Sequence, residues 1–371
     1  MGEGRQLDEV EIARLRATQN HLQAWLIRRE RIWRQRARSY GFSLKDHNTK
    51  FFHASTMVRR KRNEILQLEI DGRLIVGVDN LKNEVFNYFA KRFSQTPSPE
   101  LEFDLGMHPV ISAEQVRFLK ALPSREEIKQ AVWACGTVKA PGFHGFNFKF
   151  FREMWEMIKD DIYEFVIRFL EYGDIAKAIN VTWVTLIPKI PSPVSIDDFR
   201  PISMVGALYK IISKLLSIRL KEVIGPLIDE SQSTFVMDRQ ILDGVLIANE
   251  AIGWLKRRKI SGALLKLDFQ KAYDSIKWSF LQQVMEKMGF GGKWIRWIMS
   301  CVGKASLSIM LNGSPLKPFI MERGLRQGDP LSPYLFILVS EALVCLFRRA
   351  ESLNLVKGVE IGKDKIQLKH L

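Results

Sequence analysis

The sequence predicts a mixed α/β chain built in more than one lobe, and three observations carry that expectation. At 371 residues it exceeds what one hydrophobic core usually holds. Apolar residues recur at helical spacing over several long stretches, with short β-prone runs between them. Two of those runs are folded about Asp71-Gly72 and Asn312-Gly313, pairs that supply the positive φ angles a tight hairpin needs.

Residues 7–38 place Leu15, Leu22, Trp25, Leu26, Ile32 and Trp33 at steps of three, four and seven, which predicts one long amphipathic helix with a basic face. Residues 64–78 form a hairpin about Asp71-Gly72, and 80–93 a helix. The stretch TPSPELEFDLGMHPV has linker composition. Ser112 starts one helix and Ser124 another, the second with Glu127 in capping-box position. The glycine- and phenylalanine-rich loop KAPGFHGFNFKFF precedes a helix over 150–170, and 181–188 is a short strand. Helices follow at 203–223 and 240–259, then a buried strand at the apolar run ending in Asp268. Asp274 caps a helix over 276–288, and 289–302 forms another carrying Trp294 and Trp297. The hairpin 305–321, with SLSIML alternating on its first arm, leads to Asp329 as N-cap and Pro330 as first residue of a helix over 331–351.

Hydrophobic content of 46% leaves ample material for a core, yet no window of about eighteen residues is apolar enough for a membrane span. The start of the chain lacks a secretory h-region, so an intracellular setting, nucleus or cytoplasm, is expected. Cys135, Cys301 and Cys345 are odd in number and far apart, the pattern of ordinary reduced thiols rather than a disulfide or zinc framework. Net charge is +15, and it is concentrated: between residues 28 and 62 twelve cations face two anions. Arg28, Arg34, Arg38, Arg59, Arg60, Lys61 and Arg62 are interleaved with Trp25, Trp33, Tyr40, Phe51 and Phe52. That mixture favours nucleic-acid contact, phosphates drawn by charge and bases stacked on rings, over a merely solvated helix face. The RRKR cluster suits either phosphate binding or nuclear targeting.

The chemistry centres on ALLKLDFQKAYDSI. A carboxylate at the end of a buried strand is rigidly aimed, which suits a magnesium ligand; a turn or helix-capping role is the alternative. Further on stands GLRQGDPLSPYLF, and earlier TLIPKIPSPVSIDDFRPISMVGAL and DESQSTFVMDRQILDGVLIANE. In their order and spacing these four stretches resemble motifs of reverse transcriptases of LINE-type (non-LTR) retrotransposons in their plant form, a likeness that runs from about residue 48 to the end.

The resemblance implies right-hand polymerase fingers interleaved with palm elements to about residue 260 and a partial palm after it, preceded by the basic helical extension. The corresponding divisions are 1–62, 63–175 and 176–371. It implies RNA-directed DNA synthesis from an RNA template and DNA primer, with deoxynucleoside triphosphates and Mg²⁺. Asp268 would be a metal-binding catalytic aspartate, Tyr273 would pack beneath the sugar and exclude a 2′-hydroxyl, and Gln327 and Gly328 would lie against the nucleotide. Arg200 would meet the triphosphate, or else pair with Asp197 or Asp198; Tyr273 would otherwise be plain core. His144 stands where the family has an aspartate, and Met237 and Asp238 where it has proline-glycine. The stretch containing RRKR resembles a linker that joins an upstream endonuclease. The family takes two further metal-binding aspartates from a later strand-turn-strand, but the sequence runs to IGKDKIQLKHL without that pair or a thumb. Asp160-Asp161 and Asp197-Asp198 stand in other contexts. Little or no polymerisation by this chain alone is therefore expected, whether as a cut fragment or an inactive remnant, with a non-catalytic nucleic-acid-binding protein as the alternative.

Overall fold

A computed structural model of the protein describes residues 8–37, 49–95, 108–230, 232–236, 238–262, 264, 266–303, 305–361 and 366–368. The chain divides into two compact units, 1–66 and 67–371.

The first unit holds two helices, α1 (Glu9–Ala37) and α2 (Thr49–Asn63). Trp33 and His53 meet with ring centroids 3.4 Å apart, and Phe52 is buried. The expected apolar stripe of α1 is largely in solvent: Leu15, Leu22, Trp25, Leu26 and Ile32 are all exposed. Basic residues Arg60, Lys61 and Arg62 occupy the last turn of α2, where they complement the helix dipole.

The second unit opens with the hairpin β1 (Gln67–Ile70) and β2 (Arg73–Val76), whose turn residues Asp71 and Gly72 take φ of 50° and 74°. α3 (Val78–Phe93) buries Leu81, Val85, Phe89 and Phe93 along one face. α4 (Ala113–Lys120) starts at a full capping box between Ser112 and Gln115. At α5 (Arg125–Trp133) Ser124 caps alone, because the Glu127 carboxylate is turned instead to the buried Arg219, with contacts of 2.6 and 2.9 Å. The helix expected over 150–170 is two, α6 (Phe148–Glu153) and α7 (Trp155–Tyr172), separated at Met154.

β3 (Val181–Pro188) has the expected bounds and pairs antiparallel with β4 (Phe199–Val205). β4 takes residues 203–205 that the apolar pattern assigned to a helix; the ladder with β3 claims them, and Gly206 marks the change to α8 (Ala207–Ile224). α9 (Ile241–Arg258) ends on Lys259 at φ 57°. α10 (Trp278–Lys287) and α11 (Gly292–Val302) follow, the latter burying Trp294 and Trp297. β5 (Ser306–Leu311) runs parallel to β3 and carries β6 (Ser314–Pro315) and β7 (Phe319–Ile320) on its other edge. The order β4-β3-β5-β6 therefore places β5 inside the sheet, and its side chains are buried on both faces rather than alternating. α12 (Ser332–Ser352) and the small pair β8 (Val359–Ile361) and β9 (Ile366–Leu368) complete the unit. A hydrophobic core built largely on α7, α8, α10, α11 and α12 underlies the helical part of the unit.

The strand expected to end at Asp268 is not formed. Residues 264 and 266–269 lie in no strand, and Leu264, Leu267 and Phe269 are exposed. No described strand lies alongside to satisfy their backbone groups, so the apolar run has no ladder to join. Of the expected linker over 96–110, residues 96–107 lie outside the described residues.

Candidate functional site

The loop 324–329 is held by partners distant in sequence. Gly324 has φ 87°, and a Cβ there would stand 2.8 Å from the carbonyl oxygen of Asp274, so only glycine admits this approach. Its N–H donates to Ile276 O and that of Leu325 to Tyr273 O, each at 2.7 Å, which lays the loop along the turn 273–276. On the other side the N–H of Ser203 in β4 donates to Gln327 O at 2.7 Å. Gly328, at φ 108°, leaves 3.0 Å between a notional Cβ and Ser203 O.

Arg326 fixes the loop from within. Its guanidinium lies 3.9 Å from the Tyr209 ring centroid and donates to Asn180 Oδ1 at 2.7 Å, Thr182 Oγ1 at 3.3 Å and Cys301 O at 2.6 Å. It is also 3.4 Å from Asp329, both side chains being 2% exposed. Asp329 accepts from the hydroxyls of Tyr209 and Ser213 and from the N–H of Leu331 at 3.0 Å. Asp329 is thus the hub of a buried network rather than the expected N-cap: α12 begins at Ser332.

A second polar cluster joins the segment leading into the turn to the residues just before β4 and to α3. Lys271 Nζ reaches Asp197 Oδ1 at 2.7 Å and Tyr88 Oη at 2.8 Å, while the Tyr88 hydroxyl donates to Asp197 at 2.6 Å. Burial pushes the Asp197 carboxyl up, but Lys271 and Tyr88 outweigh it and hold the group below the ordinary carboxylate range. Asp274 is buried and paired with Arg92, not capping a helix; burial raises its carboxyl despite that arginine. Lys271, Tyr88 and Arg92 had no signal in sequence, since their partners are scattered along the chain.

His144 is half-buried and accepts the N–H of Ala207, the first residue of α8, at 2.5 Å through Nε2. Burial holds its imidazole below the usual range, which keeps it a neutral acceptor at a helix start. It does what an aspartate could do in its place. Of the other departure from the family pattern, Met237 lies outside the described residues and Asp238 takes φ 61°.

Tyr273 is half-buried and stacks on Phe336 of α12, with centroids 5.0 Å apart and planes at 12°. Asp268 lines a cleft of about 810 Å³ walled by the turn, α10 and α12, among Phe269, Ala272, Phe336 and Arg323. Arg200 is exposed and pairs with neither candidate aspartate: Asp197 is engaged by Lys271, and Asp198 accepts the N–H groups of Val194 and Ser195 at 3.0 and 2.9 Å. In the first unit Arg28, Arg60, Lys61 and Arg62 are exposed and Arg59 is half-buried. Arg34 lies in α1, and Arg38 is outside the described residues. The fold therefore gathers Tyr273, Gln327, Gly328 and β4 at one junction.

Among the described residues, no group of three or more His, Cys, Asp or Glu side chains close enough to share a metal ion includes Asp268. One exposed carboxylate does not match the donor set that two hard cations require. Among the described residues no helix is long and apolar enough to cross a membrane.

Residues 187–359 match the family model described as "Reverse transcriptase (RNA-dependent DNA polymerase)". The chain is 28% identical over 308 residues to the Transposon TX1 uncharacterized 149 kDa protein of Xenopus laevis, an overlap of 82% of this chain and 24% of that protein. It is 25% identical over 203 residues to a Retrovirus-related Pol polyprotein from type-1 retrotransposable element R2 of Popillia japonica, covering 54% of this chain and 28% of that one. It is also 25% identical over 270 residues to the RNA-directed DNA polymerase from mobile element jockey of Drosophila funebris, covering 69% and 28%. The chain thus spans about a quarter of the length of these relatives. Matched family, related retroelements and motifs joined in one hydrogen-bonded junction agree: residues 187–359 match a reverse transcriptase domain, and the chain is similar to proteins of LINE-type, non-LTR retrotransposons.

Proposed function

We propose that this chain is the template- and nucleotide-binding part of an RNA-directed DNA polymerase, its fingers reaching to about residue 260 and a partial palm following. The observation that carries the reading is the junction of loop 324–329, turn 273–276 and β4, in which the loop is hydrogen-bonded to the turn on one side and to β4 on the other. In this reading Gln327 and Gly328 lie against the incoming deoxynucleoside triphosphate, and Tyr273 fills the space a 2′-hydroxyl would need. Arg200 takes triphosphate oxygens in its planar fork. The exposed cations of the first unit hold the phosphates of an RNA template and DNA primer. Asp268 offers one carboxylate to Mg²⁺, and the remaining anionic ligands must come from elsewhere than the described residues. The setting is intracellular, nucleus or cytoplasm.

Filter binding of an RNA–DNA primer–template and primer extension with Mg²⁺ test this together. The chain retains primer–template with steep salt dependence and extends it little. Replacing Arg60, Lys61 and Arg62 by alanine lowers the slope of log K against log salt by about 2 to 3, near one per lost phosphate contact. Loss of retention at low salt refutes the binding role, and extension that survives Asp268→Asn refutes that residue's assignment. A non-catalytic nucleic-acid-binding role is the second reading, favoured by the isolation of Asp268; its signature is retention that Tyr273→Ala and added nucleotide leave unchanged.

A further inference from the structure

A buried cluster stands apart from every residue discussed above for polymerisation. Glu341 and Cys345 lie one turn apart on α12, and His108 faces them from the segment leading to α4; one ligating atom of each lies within 4.8 Å of the other two. His108 Nε2 is 3.5 Å from Glu341 Oε1, and both side chains are 2% exposed. Neither atom has a hydrogen-bond partner.

The far ends of both side chains are already committed. His108 Nδ1 lies 2.7 Å from Pro109 O and so carries the proton it donates. Glu341 Oε2 accepts the N–H of Asp229 at 3.0 Å. A neutral ring in that tautomer points a lone pair from Nε2 at a carboxylate oxygen. Two buried acceptors facing each other are unfavourable unless something positive lies between them. A proton is one candidate and a metal ion the other.

The donor set separates them. A proton engages only two of the three groups, whereas Cys345, otherwise a core thiol, stands close enough to supply a third ligand, and imidazole, carboxylate and thiolate together are the mixed set of a borderline divalent transition metal. With bonds of 2.0 to 2.1 Å, the N···O edge of a zinc tetrahedron is about 3.3 Å, close to the separation seen. The contacts from Pro109 and Asp229 are those that orient ligands from behind. We propose that His108 Nε2, Glu341 Oε1 and Cys345 Sγ form a binding site for a divalent transition-metal ion of the Zn²⁺ class. It ties the segment before α4 to α12, the helix that also presents Phe336 to Tyr273. Binding displaces the thiol proton of Cys345 to solvent and leaves the oxidation state of the metal unchanged.

The test uses the full chain, freed of metal by a chelator and titrated with Co²⁺ under reducing, anaerobic conditions. We expect a thiolate-to-cobalt charge-transfer band saturating at one ion per chain, bleached by Zn²⁺ and unaffected by Mg²⁺. Cys345→Ser, close in size to the native side chain, abolishes the band, whereas Cys135→Ser retains it. Glu341→Gln weakens Co²⁺ binding by at least about tenfold, and Zn²⁺ raises the melting temperature of the native chain but not of Cys345→Ser. If Cys345→Ser does not fold, His108→Gln is read by the same band. Absence of a band in the native chain, or a band of full intensity in Cys345→Ser or His108→Gln, overturns the proposal; a protonated His108–Glu341 pair with no metal uptake is the first of those outcomes.

Discussion

Replacing Arg326 by methionine keeps the length and apolar stem of the side chain and removes only the guanidinium. The loss falls on four acceptors, Asn180 Oδ1, Thr182 Oγ1, Cys301 O and Asp329, and on the Tyr209 ring below. Stripping one partner from a buried ion pair costs about 3 to 5 kcal/mol, because the other charge stays buried without compensation. Asp329 keeps hydrogen bonds from Tyr209, Ser213 and Leu331, which places the expected cost at the low end, about 3 kcal/mol. In urea denaturation followed by tryptophan emission, a slope of about 3 kcal/mol per molar turns that cost into a midpoint shift of about 1 M. Adding Asp329→Asn removes the stranded charge, so the double variant recovers part of the loss, with a coupling of about 1 to 3 kcal/mol. A cost below about 1 kcal/mol for Arg326→Met, or two costs that simply add, would refute the view that this network holds the loop.

Three shorter predictions follow from the same geometry. His144→Ala removes the acceptor at the start of α8 and costs about 1 kcal/mol in thermal or urea unfolding, while His144→Asp restores most of it; equal losses would contradict a capping role. Gly328→Ala forces a methyl against Ser203 O at φ 108° and costs about 1 to 3 kcal/mol, whereas alanine at the exposed Gly313 position, where nothing stands within 4 Å, meets only the φ penalty. The Lys271–Asp197 pair contributes only where both groups are charged. The carboxyl is held low, so its share is complete above the ordinary value of 3.8 and lost as pH falls through the folded-state value. The ammonium is opposed by burial but raised more by Asp197 and Tyr88, so its share is complete below 10.5 and lost above the folded-state value. The melting-temperature difference between native protein and Asp197→Asn is therefore a plateau between those limits that collapses in acid; a difference unchanged at pH 2 would disprove the pairing.

Much of the fold is legible where the signal is local. The turn residues Asp71, Gly72, Asn312 and Gly313 all adopt positive φ, the bounds of β3 follow from its own run of residues, and Ser112 caps the helix it precedes. What local pattern could not supply was the identity of distant partners. Glu127 stands three residues after a capping serine yet serves Arg219, and Asp329 before proline yet serves Arg326. Asp274 is likewise drawn from a helix start to Arg92 of α3. The apolar run before Asp268 shows the converse: high strand propensity makes no strand without a neighbour for its backbone. The motifs of the junction were visible, but the Lys271–Tyr88 contact joins residues 183 apart, and no spacing rule reaches that far. His108 sat at the end of a presumed linker, and Cys345 read as an ordinary thiol.

The parallel pairing of β3 with β5 bears on how the molecule comes to be folded at all. β3 and β4 are neighbours in sequence and can form a hairpin early, but the ladder from Val181 to Ser306 closes only after the intervening helices have been made. Arg326 and Asn180, which the finished sheet brings together, are 146 residues apart. Closing so long a loop is entropically costly before any contact repays it, and non-local pairing of this kind slows folding. During synthesis the free side of β3 therefore stands open as an unpaired edge until β5 leaves the ribosome, an interval in which another nascent copy could pair with it. The junction therefore cannot become native before β5 and the loop that follows it have been synthesised, about 120 residues after β3.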